Sequence, residues 1–193
     1  MDSNWIIKFI TISFLFMWGT YDSYSAFRKG KKYSHIENRD KNSMTIMYIT
    51  IFLGYGVGIP ISFTDYGTIE SYYPYVSFVG FLIIIAGMSI RLIAIKTLNT
   101  HFTYAVKILD NHQLITSGIY KYIRHPSYSG QLLIILGSGI AFSNYVSIVI
   151  IFIPFFLAVL YRISIEETVL MNYFTDAYLE YRKKTKLLIP WVY

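Results

Sequence analysis

The chain contains no cysteine, which excludes a disulfide, a thiolate metal site and a cysteine nucleophile. It is also poor in charge, since Asp, Glu, Lys and Arg make up 15% of its 193 residues, against about 25% in soluble domains. Its four histidines include no pair at the i, i+4 spacing of a helical metal site, so we expect no metal. A mean hydropathy of +0.44 and 54% apolar residues predict an integral membrane protein.

The chain has a net charge of +6, and its basic residues lie in short segments beside apolar runs. They do not follow the pattern of a folded basic surface. Such placement is typical of topology signals and of contact with anionic lipid. We therefore expect membrane lipid as a partner and no nucleic acid.

Five apolar runs predict an all-α protein with about five transmembrane helices, at residues 5–21, 44–63, 75–95, 128–142 and 145–161. The first three are long enough to cross a hydrocarbon core of about 30 Å. The last two are short and are joined only by Ser143 and Asn144, which predicts a tight helical hairpin. No cation precedes Trp5, so we expect the first run to be a retained anchor and not a cleaved signal.

The basic residues predict the orientation of these spans. They lie between the first and second spans, after the third span and in the tail, whereas the segment between the second and third spans has none. The members are Arg28, Lys29, Lys31, Lys32, Arg39 and Lys41, then Lys96, Lys107, Lys121 and Arg124, then Arg182, Lys183, Lys184 and Lys186. The positive-inside rule then puts the N-terminus outside and the C-terminus in the cytoplasm.

Residues 112–130, HQLITSGIYKYIRHPSYSG, hold more polar chemistry than a loop between spans needs. A histidine and a Ser-Gly turn are followed by an Arg-His-Pro corner that Tyr120 and Tyr128 flank. Aromatic faces can hold an adenine ring, or a cation at about 0.5–2 kcal/mol. The segment predicts a polar site at the cytoplasmic membrane face.

Arg162 and Glu166 are four residues apart, so a helix would present them on one face. They follow directly on the fifth apolar run, and charges inside a bilayer cost about 2.5–3.5 kcal/mol on insertion scales. This position favours a functional cavity over a surface ion pair. The tail that follows, with Tyr178 and Tyr181 at helical spacing, predicts an amphipathic interfacial helix or a lid over the loop.

Gly54 and Gly58 predict close helix packing, with Pro60 adding a kink. They do not form a nucleotide loop, because they lie inside an apolar run with no strand before it. Gly137 and Gly139 predict a close approach of the fourth span to a neighbour.

The order of these motifs resembles the isoprenylcysteine carboxyl methyltransferase family of membrane enzymes. The resemblance covers residues 98–191 and runs through residues 112–130, Arg162, Glu166, Glu167, Leu170, Phe174, Tyr178, Tyr181, Leu188, Ile189 and Pro190. The Arg-His-Pro-x-Tyr-x-Gly element alone also occurs in related membrane methyltransferases and resembles elements of some membrane reductases. The chain departs from the family at Thr175, usually glycine, and at Lys107, a neutral amide in eukaryotic relatives.

The resemblance implies one domain, residues 1–193, with three N-terminal spans in 1–95 and a catalytic region in 96–193. The cytoplasmic loop and C-terminal helix would form a site for S-adenosyl-L-methionine, which leaves as S-adenosyl-L-homocysteine. Its implied contacts are Lys107, His112, Gln113, Leu114, Ile115, Tyr120, His125, Pro126, Ser127, Tyr128 and Glu166. Arg162 would hold the carboxylate of a prenylated or other lipophilic substrate, and methyl transfer would convert that carboxylate into a methyl ester.

Three other functions remain open on the residues alone. A phospholipid amine N-methyltransferase would need a base such as His125, because an amine acceptor must lose a proton, whereas a carboxylate is already ionised. An NADPH-dependent membrane reductase would bind a reduced nicotinamide. A non-catalytic scaffold would use the basic face to hold anionic lipid.

Overall fold

The computed structural model describes residues 3–32, 40–69, 75–106 and 113–190. These ranges contain six α-helices: α1 (Ser3–Lys32), α2 (Ser43–Ser62), α3 (Tyr75–Leu98), α4 (Pro126–Ala141), α5 (Tyr145–Phe174) and α6 (Asp176–Lys184). Short 3-10 turns lie at Asn99–His101 and Gly118–Lys121. Extended backbone in the described ranges forms isolated bridges and no strand.

The prediction of an all-helical, multi-pass membrane protein is confirmed. Within the described ranges α2, α3 and α5 have the length and apolar composition needed to cross a bilayer. The helices α1 and α4 do not belong to that group, because α4 has 16 residues and α1 carries Lys8 within its apolar run and Asp22 directly after it.

The prediction of a short fifth helix is wrong. Apolar residues end near Tyr161, but α5 continues to Phe174 and has 30 residues. Its last three turns leave the apolar run and still keep helical hydrogen bonding, because Arg162 and Glu167 find partners inside the protein. Likewise α1 is longer than the predicted span of residues 5–21, since it runs from Ser3 to Lys32 and has 30 residues. Hydropathy marks the end of the apolar surface and not the end of the helix.

The tight hairpin between α4 and α5 is confirmed. Ser143 adopts a positive φ of 50°, which reverses the chain in two residues. Asn144 then caps α5, since its Oδ1 accepts a hydrogen bond of 2.9 Å from the Ser147 N–H. Its Nδ2 donates at 2.8 Å to the Tyr66 carbonyl, which fixes the hairpin to the turn after α2.

Two pairs of glycines bring α3 and α4 into backbone contact. A Cβ at Gly80 would lie 2.6 Å from the Gly137 carbonyl oxygen, and one at Gly87 would lie 2.6 Å from the Gly130 carbonyl oxygen. The two pairs match in antiparallel register. Small residues allow this approach between membrane helices, whose association depends on close van der Waals packing.

The predicted packing of α2 through its glycines is confirmed. Gly58 faces the side chain of Ile151 in α5, where a Cβ would lie 2.6 Å from Cγ1, and Gly54 faces the Ile151 backbone. Ser147 Oγ donates to the Gly58 carbonyl at 2.7 Å. Fully buried Phe155 and Val159 continue this α5 surface into the core.

The helices alternate in direction, so one face of the bundle collects the ends that carry charge. Asp22 in the second half of α1 pairs with Arg91 of α3, and Asp40 before α2 pairs with Arg162 of α5. At the opposite face Lys8 of α1 donates to the Ser62 carbonyl at the end of α2.

The tail docks on the loop. The helix α6 ends at Lys184, and Thr185 after it is extended. The helix predicted for the tail therefore stops before the apolar residues 187–190. Arg124 N–H donates to the Lys186 carbonyl at 2.8 Å, and His125 N–H donates to the Leu187 carbonyl at 3.1 Å. This pairing fixes the tail beside the Arg-His-Pro corner.

Candidate active site

A cavity of about 580 Å³ lies at the charged face of the bundle. This volume is in the range of about 300–1,000 Å³ typical of small-molecule sites. One part is polar and is lined by Arg91, Tyr104, Arg162 and Glu166. The other part is apolar and runs between α1, α2 and α4, where its lining includes Ile12, Leu15, Phe16, Trp18, Met47, Ile51, Ile59, Ile134 and Ile135.

Most of the predicted site residues line this cavity. They are Gln113, Leu114, Ile115, Tyr120, His125, Ser127, Tyr128, Arg162 and Glu166. Pro126 is buried at the first position of α4, where its missing N–H costs no hydrogen bond. Lys107 and His112 lie outside the described residues. The cavity therefore unites the loop with the Arg162–Glu166 face, as the helical spacing predicts.

The hydroxyl of Tyr128 joins the two charged groups of α5. It accepts a hydrogen bond of 2.6 Å from Arg162 Nε and donates one of 2.7 Å to Glu166 Oε2. Because Tyr128 is in the first turn of α4, this bridge fixes α4 against α5. One carboxylate oxygen of Glu166 is the acceptor in that bond, and the side chain borders the cavity.

Arg162 is 3% exposed and is held by three elements. Its Nη1 donates to Asp40 and also to Ser43 Oγ, at 2.9 Å. Its Nη2 donates to the Tyr104 carbonyl. Burial opposes ionisation of Asp40, but the Met44 N–H and the Arg162 guanidinium hold its pKa below the ordinary value. Asp40 is therefore a charged partner of Arg162 at neutral pH.

Glu167 fastens the Arg-His-Pro corner, α5 and α6 together. Its Oε1 accepts from Arg124 Nε at 2.7 Å and from the Tyr178 hydroxyl at 3.3 Å, and lies 3.4 Å from His125 Nε2. The guanidinium of Arg124 also donates to the Thr185 carbonyl at 2.5 Å. The second glutamate of the pair thus positions the wall of the cavity, while Glu166 faces its interior.

Arg91 supports the same wall from α3. It donates through Nη1 to Ser127 Oγ at 2.9 Å and to Gln131 Oε1 at 3.2 Å, and it forms an ion pair of 2.9 Å with Asp22. The Tyr104 hydroxyl donates to Asp22 at 3.2 Å. Residues of α1, α3 and α4 therefore meet in one polar network beside the cavity.

Three tyrosines close the side of the cavity next to the tail. Tyr181 hydroxyl donates to the Tyr120 carbonyl at 2.7 Å, and the rings of Tyr178 and Tyr181 lie 5.9 Å apart. Burial raises the pKa of Tyr120, Tyr178 and Tyr181 above the ordinary value. They stay protonated. Tyr178 and Tyr181 act as hydrogen-bond donors, and all three rings line the cavity.

Thr175 occupies the turn between α5 and α6 with φ of 46° and ψ of −116°. A β-branched residue rarely adopts positive φ, whereas glycine does so freely. The departure from the family's glycine thus falls on a position whose backbone favours glycine.

Sequence reasoning gave no site role to Asp40, Arg91 and Asp22, and it named Glu167 only as part of the family motif. Arg91 carries a sequence signal like that of Arg162, because it is a charged residue inside an apolar run. The structure shows that it is 4% exposed. Asp40 carries no such signal, because it stands among other charges and its partner is 122 residues away.

The chain is similar to known proteins of one family. The sequence profile of the isoprenylcysteine carboxyl methyltransferase family matches residues 79–172. A probable protein-S-isoprenylcysteine O-methyltransferase of Oryza sativa subsp. indica is 35% identical over 122 residues, which are 62% of this chain and 64% of that protein. Protein-S-isoprenylcysteine O-methyltransferase A of Arabidopsis thaliana is 32% identical over 159 residues, 78% of this chain and 81% of that protein.

Among solved structures, a eukaryotic intramembrane Ras methyltransferase of the isoprenylcysteine carboxyl type superposes with a TM-score of 0.55. It is 24% identical, and the match covers 78% of this chain and 51% of that chain, so the likeness is one of fold. The chain thus spans somewhat less than two thirds of the rice relative and most of the Arabidopsis relative. From its sequence, and consistently with its fold, the chain belongs to the isoprenylcysteine carboxyl methyltransferase family.

Proposed function

We propose that the protein is an S-adenosyl-L-methionine-dependent methyltransferase that esterifies the carboxylate of an isoprenylcysteine-like substrate at the membrane. The observation that carries the proposal is the shared hydroxyl of Tyr128, which holds a cation and an acid, Arg162 and Glu166, on one wall of a cavity. The relatives named protein-S-isoprenylcysteine O-methyltransferase support the same chemistry.

The polar part of the cavity suits the methyl donor. That donor carries an ammonium, a carboxylate, a sulfonium and an adenine ring, and it supplies a methyl group to a carboxylate oxygen. Glu166 is an acid that lines the cavity and can accept from the ammonium, and residues 113–115 border the same space. Tyr120 and Tyr128 offer aromatic faces for the ring and the cation.

The apolar part of the cavity suits a lipid chain. Its walls are side chains of α1 and α2 such as Leu15, Met47 and Ile51, and it joins the polar part near Arg162. A prenyl group placed there would bring a terminal carboxylate towards the guanidinium. The acceptor would enter sideways from the bilayer, and the methyl donor would enter from the cytoplasm.

The protein residues contribute alignment and not acid–base catalysis. A substrate carboxylate with a reference pKa near 4 is ionised at neutral pH and needs no general base. Arg162 orients that carboxylate, Glu166 orients the donor, and the buried tyrosines limit access of water. Holding the two reactants in line can contribute up to about 7–11 kcal/mol.

For the topology we propose five crossings, with the N-terminus outside and the cavity at the cytoplasmic face. The alternation of α1 to α5 and the basic clusters near the cavity end support this arrangement. Under this proposal α1 and α4 cross together with the three longer apolar helices.

The first test is ligand stabilisation of the detergent-purified protein. We expect S-adenosyl-L-homocysteine to raise the thermal midpoint and NADPH to leave it unchanged. Methyl-labelled donor should then label farnesylcysteine analogues and not phospholipid amines. Stabilisation by NADPH alone would support a reductase, and label in phospholipid amines would support the N-methyltransferase. A protein that is stabilised by neither ligand and labels neither acceptor would support the scaffold function.

A further inference from the structure

Asp40 forms an ion pair with the guanidinium of Arg162, the group to which the proposed function assigns the acceptor carboxylate. The two side chains, 5% and 4% exposed, form an ion pair at the start of α2. Asp40 Oδ2 accepts from the Met44 N–H at 2.9 Å, and Ser43 Oγ donates to Oδ1 at 3.1 Å. The carboxylate therefore sits in a built anion site formed by the first turn of a helix and an arginine.

The other donors of Arg162 are also engaged. Within the described residues its contacts to Asp40, Ser43, Tyr104 and Tyr128 use four of its five N–H groups. A bidentate hold on a second carboxylate requires two parallel N–H groups. An incoming carboxylate must therefore displace a resident partner, and Asp40 is the partner with the same charge and the same chemistry.

Methyl transfer changes the charge next to Arg162. The S–C bond of the donor breaks with its electron pair staying on sulfur, and a carboxylate oxygen forms the new C–O bond. The sulfonium and the carboxylate both become neutral, so the product ester no longer balances the guanidinium. A buried charge without a partner is strongly unfavourable, which means that Arg162 needs another anion once the ester has formed.

We propose that Asp40 is a resident counter-ion that exchanges with the acceptor carboxylate at Arg162. It yields the guanidinium when the carboxylate binds and takes it back when the ester forms, which favours release of the product. Asp40 is thus a positioning residue that acts through Arg162 and sets the preference of the site for substrate over product. This inference rests on the proposed function.

The test compares Asp40→Asn with the wild-type protein. Asparagine keeps an oxygen for the Met44 N–H but removes the competing charge. Asp65→Asn is the matched control, because it makes the same charge change at the exposed far end of α2. Binding of a farnesylcysteine carboxylate analogue and of its methyl ester is measured by calorimetry in the presence of S-adenosyl-L-homocysteine.

We expect Asp40→Asn to bind the carboxylate about tenfold more tightly relative to the ester, while Asp65→Asn keeps the wild-type ratio. In turnover with the carboxylate, KM and kcat should both fall, because the substrate binds better and the ester leaves Arg162 unpaired. Ser43→Ala loosens the hold on Asp40 without removing it, so it should shift the binding ratio the same way by a smaller factor.

The exchange would be overturned if folded Asp40→Asn and Ser43→Ala proteins had the wild-type ratio of carboxylate affinity to ester affinity, or a lower one. Asp40 would then be a structural partner of Arg162. Failure of the proposed function looks different. In that case the wild-type protein itself would bind neither compound and would not respond to S-adenosyl-L-homocysteine.

Discussion

Replacement of Gly130 by alanine should separate α3 from α4 and disturb the cavity wall. The added Cβ would lie 2.6 Å from the Gly87 carbonyl oxygen and 2.7 Å from the Arg91 amide nitrogen, well inside van der Waals contact. Both neighbours are backbone atoms, so a side-chain rotation cannot relieve the clash. Overpacking costs about 1–3 kcal/mol, and the upper end applies here. Alanine returns about 0.5–1 kcal/mol through its better helix propensity.

The net loss is about 2 kcal/mol. At roughly 2–4 °C per kcal/mol for a chain of this size, the thermal midpoint should fall by about 4–8 °C. The matched control is Gly56→Ala, whose Cβ meets no atom within 4 Å, so helix propensity alone should hold or raise the midpoint. Thermal unfolding in detergent, followed by tryptophan fluorescence, measures both. Equal midpoints for the two variants would refute the close backbone contact between α3 and α4.

Three further substitutions test other parts of the site. Thr175→Gly should raise the thermal midpoint by about 2–4 °C, because relief of the positive φ stabilises the protein by about 1 kcal/mol. Thr175→Ala should leave the midpoint unchanged, and equal shifts in the two variants would contradict backbone strain at this position. Glu167→Gln should cost about 3 kcal/mol and speed trypsin cleavage in the tail, whereas the exposed Glu180→Gln should do neither; equal cleavage rates would contradict the fastening role. Glu166→Gln should weaken S-adenosyl-L-homocysteine about 10–100-fold in calorimetry, and unchanged affinity would exclude that residue as the ammonium partner.

The sequence was sufficient to predict the helical class and one face of the site. Arg162 and Glu166 follow an apolar run at i, i+4 spacing, and both properties are local, so their shared face could be predicted before the fold was known. The loop from Gln113 to Tyr128 could be predicted for the same reason, because its unusual chemistry is continuous in the chain.

Long-range pairing could not be predicted in the same way. The partner of Arg162 is Asp40, which comes from a mixed-charge connection with no periodicity, and only the crossing of α2 and α5 brings the two together. The length of α5 was misjudged because polar residues that are satisfied by protein partners do not end a helix. Arg91 was within reach, since a lone arginine in an apolar run calls for an acidic partner, here the partly buried Asp22.

The docking of the tail on the loop has a consequence for the order in which the protein matures. The bridge between Ile123 and Lys186 joins two segments that the ribosome makes far apart in time, with the α4–α5 hairpin between them. The helices can enter the bilayer one after another, but the wall that Arg124 and His125 form lacks its hydrogen-bond partners until Lys186 and Leu187 have left the exit tunnel. The nascent protein is therefore inserted before it is competent, and its cavity is completed by the last part of the described chain to be synthesised.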